Sequence, residues 1–198
     1  MQNLKNKKYP NTFGPPSYEW EHLDGVIYAL DYAENPQIKA AIQQFKYKFT
    51  QELADYFADG MLEKLDELKM AQNRTIVLIP IPLHKKRLNE RGFNQSEVIA
   101  KAIQKKRPSI RIEPWLVRTK YTSQQAKLKK IDRHQNLKDA FALNPKNSRE
   151  QNPNTLYFLV DDVCTTGSTL ENAAQILKEC SFQKIYGLTV ARQFAPKN

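Results

Sequence analysis

Cysteine is nearly absent from this chain: Cys164 and Cys180 are the only two among 198 residues. A disulfide framework is thereby excluded, and so is a four-thiolate zinc site within one chain. Glycine is scarce too, at six residues. None of them belongs to a Gly-rich Lys-Ser/Thr loop, which excludes a P-loop NTPase. The three histidines, His22, His84 and His134, are scattered without metal-ligand spacing. Long apolar runs are missing as well. The longest, Ile76 to Leu83, contains Pro80 and Pro82 and falls far short of the roughly 20 residues needed to cross a bilayer. No apolar stretch follows the charges between Met1 and Lys8, so no signal peptide is expected and a cytoplasmic protein is.

What is abundant is positive charge. The formal net charge is +10, and it is unevenly placed. From His84 to Arg149 there are 18 Lys and Arg against 5 Asp and Glu, a balance of +13, while the rest of the chain balances at −3. A field of this kind attracts a polyanionic small molecule or a nucleic-acid backbone. A solvated basic surface accounts for the charge equally well.

The length and a hydrophobic fraction of 40% suit one well-buried domain. Residues 1–20, with Pro10, Pro15 and Pro16, read as an irregular extension, and 21–195 as the domain. Val26 to Leu30 reads as a short strand. Ile38, Ala41, Ile42, Phe45, Phe49, Leu53 and Phe57 recur at steps of three and four, which predicts one long helix over 37–59. On it, Phe45 and Phe49 are expected in the core and Lys46 and Lys48 in solvent. Ile76 to Ile79 has the continuous aliphatic character of a strand buried on both faces. Asn94 with Glu97 resembles a capping box for a helix carrying Val98, Ile99, Ala102 and Ile103. A strand over 112–117 comes next, then a polar and basic stretch over 118–140, a strand over 155–161, a helix over 168–180 and a strand over 185–190. Strands alternating with helices predict an α/β domain with a mainly parallel sheet flanked by helices.

Two segments carry chemistry. The first is Val160-Asp161-Asp162-Val163-Cys164-Thr165-Thr166-Gly167-Ser168-Thr169-Leu170. It places two carboxylates at the end of a buried strand, then small hydroxyl residues with one Gly, then a helix start. A helix N-terminus offers unpaired N–H groups and the positive end of a dipole, which hold a phosphate. Carboxylates repel phosphate but accept hydrogen bonds from sugar hydroxyls, so the segment suits a sugar phosphate better than a bare anion. Two Asp that merely cap a helix would be the plainer alternative. The second segment, Ile79 to Gln95, also succeeds a buried strand and holds Lys85, Lys86, Arg87 and Arg91, four cations suited to a diphosphate. Its plainer reading is a basic surface turn with Phe93 as a core plug.

The first segment resembles the phosphoribosyl pyrophosphate (PRPP) signature of type I phosphoribosyltransferases at every position. Together with Pro80-Ile81-Pro82-Leu83 and Arg87 to Gln95, the chain is similar over residues 24–192 to the ComF group of phosphoribosyltransferase-like proteins (the ComFC/GntX type). The resemblance implies the type I phosphoribosyltransferase fold and pentosyl transfer with release of pyrophosphate. Asp161 and Asp162 would be the catalytic pair, accepting hydrogen bonds from the ribose hydroxyls and stabilising positive charge on the sugar. Val163, Cys164, Thr165, Thr166, Gly167, Ser168 and Thr169 would bind the PRPP phosphate, and Lys85, Arg87 and Arg91 its diphosphate. Arg118, Gln124 and Arg133 match a segment that folds over bound PRPP and excludes water. Magnesium is implied, carried by PRPP and held by Asp161 and Asp162 through water. Many members open with Cys pairs that bind zinc; this chain has no Cys before Cys164, so that module and its contacts are not expected. The resemblance also implies a link to DNA uptake, and with it a rival role. In that role a non-catalytic protein binds single-stranded DNA through the basic middle segment. The acceptor, the general base and the oligomeric state are open from the sequence.

Overall fold

The computed structural model describes residues 20–31, 35–69, 72–120, 140–145 and 152–193. The elements run β1 (Gly25–Asp31), α1 (Pro36–Tyr47), α2 (Gln51–Glu67), β2 (Thr75–Pro80), α3 (Lys85–Arg91), α4 (Gln95–Lys106), β3 (Arg111–Ile112), β4 (Leu116–Arg118), β5 (Phe141–Leu143), β6 (Thr155–Cys164), α5 (Ser168–Glu179) and β7 (Ile185–Arg192). Five strands form one sheet in the order β1-β7-β6-β2-β3, and every pairing in it is parallel. This is the α/β architecture expected, a parallel sheet flanked by helices as in the type I phosphoribosyltransferase fold. Strands β4 and β5 form a separate antiparallel pair, with Arg118 opposite Phe141.

The strand order decides where a ligand can sit. The step from β2 to β3 runs toward one edge of the sheet and the step from β6 to β7 toward the other. Right-handed crossovers then require α4 and α5 to lie on opposite faces, and the core divides accordingly. Ile76, Leu78, Leu156 and Phe158 pack with α1, α2 and α4. Val77, Ile79, Tyr157 and Leu159 pack with α5, Trp115, Leu116 and Phe141. Strands β2 and β6 are neighbours whose connections leave in opposite directions, and ligands bind beyond the carboxyl ends of such a pair. The rigidity of this floor comes from full burial: Leu78, Ile79 and Phe158 are wholly inaccessible, and truncating a buried Phe costs about 3–5 kcal/mol.

Three predicted elements differ in detail. The helix expected over 37–59 is two helices, broken at Lys48, whose backbone is extended (φ −132°), and Thr50 (φ −142°). Both helices pack on the same core, which keeps Phe45 and Phe57 in register, but Phe49, expected in the core, falls at the break and is half exposed. The strand expected over 112–117 divides at Pro114: Glu113 N–H reaches Leu78 O at 2.9 Å, and the next residues turn away into β4. Asn94 does cap α4, its Oδ1 accepting from Ser96 N–H at 3.1 Å. Glu97, however, pairs with Lys101 at 2.6 Å rather than closing a capping box. Among the described residues, no helix is long and apolar enough to cross a membrane.

Candidate functional site

Strand β6 outruns β2. Their ladder ends with Pro80 opposite Val160, and Ile81 N–H makes a last bond to Val160 O at 3.0 Å. Beyond that point β6 continues beside β7 alone, through Asp161 to Cys164. The two acids therefore stand where the sheet opens, at the switch between β6 and β2.

Each acid is held from a different helix. Asp161 Oδ1 accepts from Asp162 N–H at 2.9 Å and from Ser96 Oγ at 3.1 Å, Ser96 being buried in the first turn of α4. Burial, and after it the charge of Asp162, push the Asp161 carboxyl up to about 7, against the pull of these two bonds and of Lys46. Asp161 thus holds its proton well above the usual carboxylate range. Lys46 Nζ lies 3.3 Å from Asp162 Oδ2, both side chains being largely buried. The sequence pattern had placed Lys46 in solvent. The structure corrects it: α1 ends at Tyr47, and its last turn lies against the acid pair. Gln95 fastens that turn, donating from Nε2 to Lys46 O at 3.1 Å.

The turn after β6 leads straight into a helix start. Gly167 is the N-cap of α5 in the left-handed region, φ +74°, which glycine adopts without steric penalty. It has no side-chain oxygen of its own to cap the N–H groups of the first turn; the Ser168 N–H makes only a long contact to Thr166 Oγ1 at 3.5 Å, and such a helix start suits a phosphate. Thr166 Oγ1 and Ser168 Oγ are 2.8 Å apart, and Asn172 Nδ2 donates to Ser168 O at 2.7 Å. A Cβ at position 167 would overlap the six-membered ring of Trp20. Trp20 belongs to the segment expected as an irregular extension, of which residues 1–19 lie outside the described residues. Glu21 and His22, next in the chain, are tied down: Glu171 Oε1 accepts from Glu21 N–H at 2.9 Å, His22 N–H at 2.6 Å and the His22 ring at 2.9 Å. The other motif residues divide by side chain. Thr165 is exposed and Thr166 and Thr169 half-buried. Val163 packs against one core and Cys164 lies within the other. Burial pushes the Cys164 thiol up to about 11, so it is a neutral packing group at ordinary pH. Only the backbone of these two residues can serve a phosphate.

The segment after β2 contains a helix where a loop was expected. His84 caps α3 by accepting from Lys86 N–H at 3.2 Å, and Gly92 ends it at φ +79°. Lys85 is exposed, and Arg87 and Arg91 are half-buried. Arg91 donates to Gln95 Oε1 at 2.8 Å, which links it through Gln95 to Lys46. Arg118 stands on β4 with its guanidinium over the Phe141 ring, 5.2 Å from the centroid. Burial and then the charge of Arg87 weaken its hold on its proton, while Asp161 strengthens it. Residues Arg87, Arg118 and Asp161 therefore share one electrostatic neighbourhood. Gln124 and Arg133 lie outside the described residues.

The structure thus brings together Asp161, Asp162, the 165–169 turn, Arg87 and Arg118. Lys46, Ser96 and Trp20 lie against these residues and were not singled out from the sequence, while Gln95, the last residue of the Arg87–Gln95 run, was quoted there without a role. Their roles depend on which side chains meet in space. Only Ser96, directly after the Gly92-Phe93-Asn94-Gln95 run, carried a local signal.

No protein-family model matches the chain. It is 32% identical over 137 residues to Competence protein F of Haemophilus influenzae, covering 69% of this chain and 57% of that protein. It is 31% identical over 150 residues to Competence protein ComFC of Bacillus subtilis, covering 75% and 56%. With DNA utilization protein YhgH of Escherichia coli K12 the identity is 31% over 164 residues, covering 80% and 66%. The chain therefore spans a little over half the length of the first two relatives and about two-thirds of the third. These relatives, at about 30% identity, support a place for the chain in the ComF family.

Proposed function

We propose that this chain binds PRPP with magnesium in the notch beyond the ends of β2 and β6, and transfers the phosphoribosyl group to an acceptor with release of pyrophosphate. One observation carries the reading. Two carboxylates stand past the last β2–β6 bond, next to a glycine-capped helix start and in the same electrostatic neighbourhood as Arg118 and Arg87. A ribose between the phosphate turn and these cations meets the acids through its hydroxyls.

In this reading the amides and hydroxyls of 165–169 hold the 5′-phosphate, and Arg87, Arg91 and Arg118 the diphosphate. Asp161 and Asp162 orient the ribose and stabilise the positive charge that develops on it. Lys46 holds Asp162 in place and Ser96 holds Asp161. The donor set fits a hydrated magnesium ion, since two adjacent carboxylates are hard oxygen ligands. Bound with the diphosphate, the metal would neutralise the leaving group. Asp161 has to be ionised to stabilise a cation, so transfer should rise with pH through about 7. Calorimetry with PRPP, with and without magnesium, tests the site. Asp162→Asn should weaken PRPP binding by about 100-fold, the loss of two charge-assisted hydrogen bonds. Unchanged binding in that variant would defeat the assignment.

A second reading has its own support. The relatives' names refer to competence and to DNA utilization, which supports a link between this chain and DNA uptake. The basic segment and the exposed aromatics Tyr47 and Phe49 fit binding of a single strand without regard to its sequence. Binding that falls steeply with salt and is unaffected by Asp161→Asn or Asp162→Asn would favour this role over transfer.

A further inference from the structure

The break between α1 and α2 leaves an aromatic ledge at the rim of the notch. Phe57 and Phe45 meet edge-on in the core, with centroids 5.5 Å apart. Phe45 meets Phe93 at 5.9 Å, and Phe93 meets Phe49 at 5.6 Å. The chain of rings thus begins buried and ends in water: Phe49 is 51% exposed and the neighbouring Tyr47 73%. A large aromatic side chain held in place by its neighbours, yet half in solvent, forfeits burial that would otherwise stabilise the fold.

The surroundings are cationic. Lys48 stands between Tyr47 and Phe49. Helix α3, which leads into Phe93, carries four cations and one acid in seven residues. The ledge also adjoins the acids. Lys46, one residue before Tyr47, pairs with Asp162, and its carbonyl is held by Gln95.

We propose that this ledge is the base-stacking platform of a single-stranded DNA site, with Phe49 as the ring on which an unpaired base lies, supported edge-on by Phe93. The cations of α3 and Lys48 track the phosphates. Charge complementarity selects a polyanion, and a rigid exposed ring beside cations selects one that carries flat groups. The inference rests on the strand-binding reading and locates it at the rim of the same notch.

Binding of a labelled oligothymidylate of about 20 nucleotides, longer than the roughly 4–16 nucleotides such sites cover, is the test, monitored by anisotropy at several salt concentrations. Phe49→Ala should weaken binding about 10-fold, with Phe49→Leu close to it and Phe49→Trp at or above the wild-type affinity. The salt dependence should be the same in all three, because the phosphate contacts are untouched. Magnesium-PRPP binding by Phe49→Ala should match the wild type. Equal affinity of the Ala, Leu and Trp variants would overturn the ledge and leave the strand-binding reading standing. No binding by the wild type at low salt would overturn both, while the PRPP reading would be judged by its own calorimetry.

Discussion

The two connections that leave the sheet on either side of the notch are built on different principles. The turn after β6 is fixed by its backbone. Gly167 is left-handed, covered by Trp20 and succeeded at once by α5, so its amides point where the chain geometry sends them. The segment after β2 presents long cationic side chains on the short helix α3, none of whose residues is buried. Preorganised dipoles need no reorganisation when a ligand arrives. Side chains such as Lys85 must be ordered first, at an entropic cost for each. The contrast assigns binding precision to one connection and long-range attraction to the other.

Gly167→Ala should break the comparison most severely. A left-handed alanine costs roughly 1–2 kcal/mol, and the overlap with Trp20 adds about 1–3 kcal/mol of overpacking, so a urea midpoint should fall sharply. Adding Trp20→Ala should restore the overlap part and not the backbone part, which a double-mutant cycle separates. Next in size is Arg118→Ala. Loss of one charge-assisted contact from a half-buried position should weaken PRPP binding by about 10- to 100-fold, as about 1.5–3 kcal/mol implies.

Asp161→Asn should act on stability with a sign set by pH. The folded carboxyl is raised from its ordinary 3.8 to about 7. The folded protein therefore keeps a proton that the unfolded chain releases, and stability drains away as pH rises from about 4 through 7. The variant lacks this slope. It should match the wild type near pH 4 and exceed it by up to about 4 kcal/mol at pH 8, as denaturant titrations at the two pH values would show. A wild type with no such slope would mean that Asp161 is ionised throughout. The smallest effect belongs to Lys85→Ala. An exposed charge contributes roughly 0–1 kcal/mol, so PRPP affinity should change less than about 5-fold, and the difference should vanish at high salt.

Legibility in the sequence divided along the same line. The run from Val160 to Leu170 is contiguous, so strand, acids, turn and helix could be read in order, and the structure sets them in that order. The parallel sheet could be read from the apolar runs at 76–79 and 155–161. The ends of the elements were less legible. Periodicity could not reveal the break at Lys48, since a short interruption that keeps both helices on one face leaves the pattern intact. Lys46, in the last turn of α1 before the break, pairs with Asp162, a contact across space that periodicity does not mark. Trp20 was illegible for a related reason: its contact with Gly167 spans 147 positions of chain (167 − 20), and nothing beside Trp20 in the sequence marks it.

Trp20 also supplies the protein with an optical probe. The chain has two tryptophans. Trp115 is buried against Tyr157 and Phe182 in the core. With Trp115 replaced by Phe, the remaining indole touches the turn assigned to the 5′-phosphate, and its emission would register arrival of an anion there without any dye.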